Sequence, residues 1–246
     1  MGKLCLVFLI LAVSSLAFAD DVMKFAYAAD AEPFSWEKNG KTMGIFIDIT
    51  NETLQTRMGI RVSHQSHPWK RSQYLAQIGK VDALVTNGLW RRAWAGHSSE
   101  AVATLRHMLY INADGPKFNQ LSKVHTLEGL KPFRLVDHLG SGWVENKLAG
   151  KGYDVHLVAD PDAMYRMVAM GRVDAVAFND IMSRYQIKKL GLQDQLVEVP
   201  LDIDAVPFHI VIRKTSPYIK LLQKIDETLI QMKQDGALQK IFDKYR

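Results

Sequence analysis

A segment that occurs twice constrains this chain more than any other feature. Gly79-Lys80-Val81-Asp82-Ala83-Leu84-Val85 returns as Gly171-Arg172-Val173-Asp174-Ala175-Val176-Ala177. An amphipathic stretch leads into each copy, residues 72–78 in the first and 163–170 in the second. The glycine reads as a helix stop, because a residue without Cβ enters the left-handed C′ conformation at little cost. The basic residue after it lies near the negative end of the helix dipole. The apolar run that follows does not alternate, which suits a strand covered on both faces of a parallel sheet. Each strand closes on small or polar residues, Thr86-Asn87-Gly88 in one copy and Asn179-Asp180 in the other. Ligands of open α/β sheets bind beyond the carboxyl ends of such strands. Two such units predict two lobes that present their binding edges to one another.

The chain has 246 residues, 48% of them hydrophobic, enough for the core of one or two domains. Its first 19 residues read as a signal peptide. Lys3 supplies the positive start, residues 4–13 the apolar core, and Ala17-Phe18-Ala19 the cleavage site. That apolar core is too short for a membrane span, and no later stretch approaches one. Cys5, the only cysteine, lies inside the signal. The mature chain would therefore carry no thiol, which excludes disulfides, cysteine catalysis and cysteine-ligated metal, and suits an oxidising compartment. Without Lys3 the 31 basic residues become 30 against 26 acidic, a net charge of +4. The basic residues are scattered or paired, as in Arg91-Arg92 and Lys188-Lys189. No run has the length of a nucleic-acid arm, so nucleic acid is not expected as a partner.

Read in order, strands are expected over residues 22–28, 60–63, 105–111, 133–136, 155–158 and 206–212, besides the two in the repeat. Helices are expected after residues 44–49 with an end near 58–59, from Pro68 and from Pro161 into the two repeats, over 143–148, and over 217–233 and 237–245, with Gly236 between the last two. Strands alternating with helices imply an α/β protein with largely parallel sheets.

Several pieces then fall in a familiar order: Pro33-Phe34-Ser35-Trp36 with Gly40-Lys41, residues 44–49 before the first helix, Gly79 to Leu84, Arg92 with Ser98, residues 127–130 before a Gly-Ser turn, Gly171 to Val176, and Gly236-Ala237-Leu238-Gln239-Lys240-Ile241. Together they resemble the type II periplasmic solute-binding proteins of family 3, the polar amino-acid receptors of bacterial ABC importers. The resemblance implies a two-lobed α/β fold in which each lobe is a mostly parallel sheet flanked by helices. It places lobe one at residues 20–110 and 205–246 and lobe two at 111–204, with the hinge near 110–113 and 202–206. It implies a periplasmic monomer without cofactor that closes on a small polar ligand, an amino acid or related carboxylate, and delivers it to an ABC permease. Hinge closure is an established mode for such proteins.

The same resemblance nominates the binding groups. An arginine just after the first repeat strand clamps the ligand carboxylate in that family, and Arg92 stands there, with Arg91 as competitor. A guanidinium fits because its planar fork makes two parallel charge-assisted hydrogen bonds. Asn87 and Gly88, with Thr86, would add backbone and side-chain partners. On the other lobe Gly140-Ser141-Gly142 opens a helix whose free N–H groups and Ser141 hydroxyl would meet an anion, or serve only as an N-cap turn. Phe34, Trp36 and Trp69 lie where the family places aromatic walls, or else in the core. The family's ammonium-binding Asp would fall on Asn179, with Asp180 one residue later. A shift of one along a strand points the side chain to the other face. Either Asp180 reaches the ligand by a local adjustment, or the ligand lacks a tightly held ammonium.

Other chemistry is less supported by the sequence. His64 and His67 form an H-x-x-H pair without further ligands nearby, so no metal is expected. Ser141 lacks the G-x-S-x-G elbow, and no phosphate loop is present. Asp180, Glu32 or Asp30 would be the general acid if the chain were an enzyme resembling periplasmic cyclohexadienyl dehydratases. A ligand-sensing subunit for a membrane signalling receptor is the third alternative. The expectation is a binding protein and no enzyme.

Overall fold

The computed structural model describes residues 22–87, 92–203 and 205–245. The signal-peptide reading of residues 1–19, and the predicted site residue Gly88 with Arg91, fall outside the described residues. Strand β1 (Met23–Ala28) opens the chain. It is followed by a three-stranded hairpin sheet of β2 (Asp30–Ala31), β3 (Ser35–Lys38) and β4 (Lys41–Met43). Asn39 and Gly40, at φ 54° and 73°, make the β3–β4 turn with the two positive φ values that match strand twist. Helix α1 (Ile45–Thr50) continues as a π-type helix over Asn51–Arg57. Then come β5 (Val62–His67), α2 (Trp69–Gln77), β6 (Ala83–Thr86), β7 (Ala95–His97) and β8 (Ala103–Leu105).

The middle of the chain carries β9 (His107–Asn112), α3 (Phe118–Leu121), β10 (Arg134–His138), a π-type turn at Val144–Leu148, β11 (Asp154–Val158), α4 (Pro161–Ala169), β12 (Ala175–Asn179), α5 (Asp180–Leu190) and β13 (Leu196–Pro200). The return strand β14 (Val206–Arg213) precedes α6 (Leu222–Gln234) and α7 (Ala237–Asp243).

Two sheets result. One has the order β5-β1-β6-β14-β7, with β8 also on β14; the other has the order β11-β10-β12-β9-β13. The parallel part of each is a triplet, β5-β1-β6 and β11-β10-β12. Antiparallel strands that the chain adds as it passes between the sheets extend both triplets. Apolar side chains cover both faces of each sheet. In lobe one Phe25, Ile45, Ile49, Ile210 and Leu229 fill the α1–α6–α7 side, and Ala26, Ala76 and Leu84 the α2 side. In lobe two Leu109, Leu130 and Leu135 form one layer, and Tyr110, Met164 and Val176 the α4–α5 layer.

The repeat performs the same structural task twice. Gly79 and Gly171 end α2 and α4 at φ 79° and 67°. Asp82 Oδ2 accepts the Lys24 N–H at 2.9 Å while the Asp82 N–H donates to Lys24 O at 2.8 Å. Asp174 Oδ2 likewise accepts the Arg134 N–H at 2.8 Å, and its own N–H donates to Arg134 O at 2.8 Å. Each aspartate thus ties its strand to the first strand of its own parallel triplet.

Three sequence expectations shift. β5 runs over Val62–His67 instead of 60–63, because it pairs with the full length of β1, from Met23↔Val62 to Ala28↔His67. The strand expected over 105–111 is two, broken at Arg106, and Tyr110 lies inside β9 paired on both sides. The first passage between sheets is therefore at Arg106. The second spans 201–205.

Candidate functional site

Both passages leave each sheet at the same edge. β14 enters lobe one opposite the carboxyl end of β6, with His209↔Thr86, and β9 enters lobe two opposite the carboxyl end of β12, with Asn179↔His107. The carboxyl edges of the two parallel triplets therefore face one another across the hinge.

On the lobe-one edge, Arg92 is buried at 9% exposure. Its Nη1 donates to Asn87 O at 2.7 Å and its Nη2 to Gln73 Oε1 at 2.9 Å. The structure thus brings Arg92 and Asn87 together, and adds Gln73, which the sequence reading missed. Gln73 lies on α2, three residues before Ala76 of the buried α2 layer, in the stretch read only as the amphipathic lead-in to the repeat. Trp69 begins α2 and packs half-buried on the Ala26–Ala76–Leu84 layer.

On the lobe-two edge, Ser141 is buried and donates from Oγ to Asp137 Oδ2 at 2.9 Å. Asp137, 1% exposed, accepts on Oδ1 from the His138 N–H at 2.6 Å and lies 2.7 Å from His138 Nδ1. The Ser141 hydroxyl also accepts the Val144 N–H at 3.3 Å, so it serves the loop itself. Gly142 is exposed beside it. The helix they open has π-type hydrogen bonding, which weakens the case for an anion-binding helix end. His107 stacks on Trp143 with ring centres 4.8 Å apart and planes 17° apart. His107 Nδ1 and Trp143 Nε1 are buried without a hydrogen-bond partner. Burial pushes the His107 imidazole below its usual pKa, the nearby Asp137 and Asp180 opposing this, so the ring is neutral at pH 7. Neither residue was singled out from sequence, since nothing local marks a histidine beginning a strand.

Asn179 is buried, and its Oδ1 accepts the Met182 N–H at 2.9 Å, which makes it the N-cap of α5. Asp180 is the first residue of α5 and no longer part of β12, so strand parity does not set its direction. Its Oδ1 accepts the Ile181 N–H at 2.9 Å and the Arg106 N–H at 3.4 Å. It lines a separate cavity of about 610 Å³ with Tyr110, Arg184, Glu198, Leu238 and Phe242. There Arg184 grips Glu198 through two hydrogen bonds, 2.7 and 2.5 Å, and Tyr110 adds a third at 3.0 Å.

Two of the expected aromatic walls are elsewhere. Phe34 is 3% exposed and stacks on Phe46 at 4.9 Å and Phe208 at 6.4 Å, inside the lobe-one core. Its loop is drawn inward because Gly44 permits a backbone approach to the Phe34 carbonyl that a Cβ would obstruct. Trp36 joins a seam between the lobes, 6.5 Å from Tyr185 of α5 and 6.0 Å from Tyr245. Glu32 reinforces that seam through Lys189 Nζ at 2.7 Å. The histidine pair is also accounted for. His64 bonds Asn51 Oδ1 at 2.7 Å and lies 3.2 Å from the Tyr27 hydroxyl, whereas His67 bonds Gln65. Among the described residues no cluster of three metal-ligating side chains occurs, and no helix is long and apolar enough to cross a membrane.

Two α/β lobes, joined by paired crossovers and opposed at their strand ends, define the two-lobed solute-binding class. Residues 23–246 match the family of bacterial extracellular solute-binding proteins, family 3, and the chain belongs to that family. A curated relative, the probable amino-acid-binding protein YxeM of Bacillus subtilis (strain 168), is 24% identical over 234 residues, covering 92% of this chain and 84% of its own. Among solved structures, an ancestral cationic amino acid solute-binding protein superposes with a TM-score of 0.72 at 23% identity, covering 91% of this chain and 95% of that one. A histidine kinase sensor domain with similarity to periplasmic binding proteins gives a TM-score of 0.70 at 22% identity, with the same coverage.

Proposed function

We propose that this chain is an exported, periplasmic solute-binding protein that captures an amino acid or related carboxylate between its lobes and presents it to an ABC-type importer. The observation that carries this reading is the buried Arg92 at the lobe-one strand edge, held by Asn87 and Gln73 opposite the lobe-two edge. A guanidinium suits an incoming carboxylate because its planar fork makes charge-assisted hydrogen bonds. Family membership and the amino-acid-binding name of the Bacillus relative support the same class of solute. Lobe one would take the ligand first, and closure about the Arg106 and 201–205 crossovers would bring the Ser141–Trp143 loop and Asn179 onto it.

The dehydratase alternative finds little in the acids it would need. Glu32 is tied to Lys189, and Asp180 accepts backbone N–H groups beside the separate cavity. The sensor-domain likeness leaves a signalling partner as the second reading, separable by whether a permease or a receptor co-purifies.

Thermal unfolding of residues 20–246 against amino acids, amines and carboxylic acids tests the proposal. A ligand at a hundred times its Kd adds about 2.7 kcal/mol and shifts the midpoint by about 5–11 °C at this size. A shift confined to one solute class is expected; no shift across the panel contradicts the reading. Arg92→Ala should weaken the responding solute at least tenfold, about 1.4 kcal/mol, by calorimetry.

A further inference from the structure

We infer that the chain carries a second binding site, in the cavity between α5 and α7, for a small uncharged molecule with an apolar body and a hydrogen-bond donor. The cavity holds about 610 Å³, within the roughly 300–1,000 Å³ of small-molecule sites. It is distinct from the cleft. Ala28, His67 and Thr86 at the lobe-one strand ends, and His138 and Asn179 at those of lobe two, are not among its walls. Lobe one contributes Val102, Ala103, Leu238 and Phe242, and lobe two contributes Ile181 and Leu196. Apolar surface therefore meets a ligand from both sides, which is the usual lining of such sites. The Arg106 crossover adjoins the cavity, because the Asp180 N–H donates to Arg106 O at 2.9 Å.

The polar groups of the cavity decide what the molecule must offer. Glu198 is engaged on both oxygens, Oε1 by Arg184 Nη2 and Oε2 by Arg184 Nε and the Tyr110 hydroxyl. Lys233 is paired with Glu100 at 2.5 Å. Asp180 differs. Its Oδ1 accepts the Ile181 and Arg106 N–H groups, and no hydrogen bond reaches its Oδ2 among the described residues. An ionised carboxylate only accepts, so the complementary group is a donor. An ammonium would donate too, but Asp180, Arg184 and Lys188 stand one turn apart on α5, and Asp180 already acts on the Arg184 guanidinium. A second cation would meet that positive face. An acid in the same place would set one carboxylate against another. An uncharged N–H or hydroxyl meets Asp180 without either conflict, and the apolar walls take the rest of the molecule.

Calorimetric titration of residues 20–246 with indole, benzofuran, tryptamine and indoleacetate tests the inference. Benzofuran keeps the shape of indole and lacks its N–H, and the other two add an ammonium or a carboxylate. Indole should bind with a Kd below about 1 mM, and about tenfold tighter than each of the other three. Asp180→Asn still offers an oxygen to the Ile181 and Arg106 N–H groups, and should weaken indole about tenfold, as expected for a hydrogen bond to a charged acceptor. Thr104 is exposed and lines the cavity, so Thr104→Trp should fill the space and abolish indole binding without lowering the unfolding midpoint. Binding of indole should survive Arg92→Ala, so the test stands apart from the solute-binding reading. No binding of indole, or binding that persists in folded Thr104→Trp, overturns the site. Loss of indole binding in folded Arg92→Ala assigns the probe to the cleft and overturns the site as well. Equal or tighter binding of benzofuran, tryptamine or indoleacetate overturns the uncharged-donor class.

Discussion

At the scale of single residues, the repeated aspartates carry the clearest account. Asp82 and Asp174 each exchange two hydrogen bonds with the backbone of the first strand of their parallel triplet. Asp174 also binds Lys117 Nζ at 2.8 Å. Burial pulls the Asp174 pKa upward, but the Lys117 ammonium and the Arg134 N–H outweigh it, and the carboxyl ends below its usual value. Replacing either aspartate with alanine strands a backbone donor, so Asp82→Ala and Asp174→Ala should each cost about 1–3 kcal/mol in urea unfolding. His64 predicts a pH effect of known sign. Burial pushes its imidazole down to about 4, against about 6.5 in an unfolded chain. Between those values the unfolded state binds more protons, so stability falls as pH drops from 6.5 toward 4. The wild type should lose on the order of 1 kcal/mol more than His64→Gln between pH 7 and pH 5 in paired denaturant titrations. Equal losses would remove His64 from the acid response. The sequence showed these aspartates as members of a repeat without showing their task, because a strand-to-strand tie needs a partner about 40 to 58 residues away.

At the scale of elements, the repeat glycines were legible and their difference was not. Both hold positive φ, which any side chain would strain by about 1–2 kcal/mol. A Cβ on Gly171 would meet nothing within 4 Å, but one on Gly79 would stand 3.1 Å from the Arg213 guanidinium carbon. Gly79→Ala should therefore destabilise more than Gly171→Ala, by roughly 1 kcal/mol, in the same unfolding assay. Equal costs would mean that the Arg213 side chain moves aside freely. Helices and strands announced themselves through such local grammar, and the helix stops at Gly59, Gly191 and Gly236 follow it. Aromatic roles did not. Nothing around Phe34 or Trp36 tells core from cleft, because Phe208 and Tyr185, which settle the matter, arrive from distant parts of the chain. Asp180 was not readable from strand parity, because the chain turns into α5 at that residue, and the cavity it faces was hidden as well.

At the scale of the molecule, the two-lobed plan follows from the repeat and its βα surroundings, since two parallel triplets must each expose a carboxyl edge. The positions of the crossovers required the pairing of β8, β9 and β14 and were displaced from the sequence reading. The lobes already touch along one side through Trp36, Tyr185 and Tyr245 and the Glu32–Lys189 pair. Exposed ion pairs contribute at most about 1 kcal/mol, so that seam guides closure without enforcing it. A ligand held between Arg92 and the lobe-two edge would supply the remaining stabilisation, and closure is thus the central claim. Small-angle X-ray scattering of residues 20–246, alone and saturated with whichever solute raises the unfolding midpoint, tests it most directly. The account predicts a smaller radius of gyration with solute, and no such change in Arg92→Ala at the same solute concentration. An unchanged radius in the saturated wild type would contradict it.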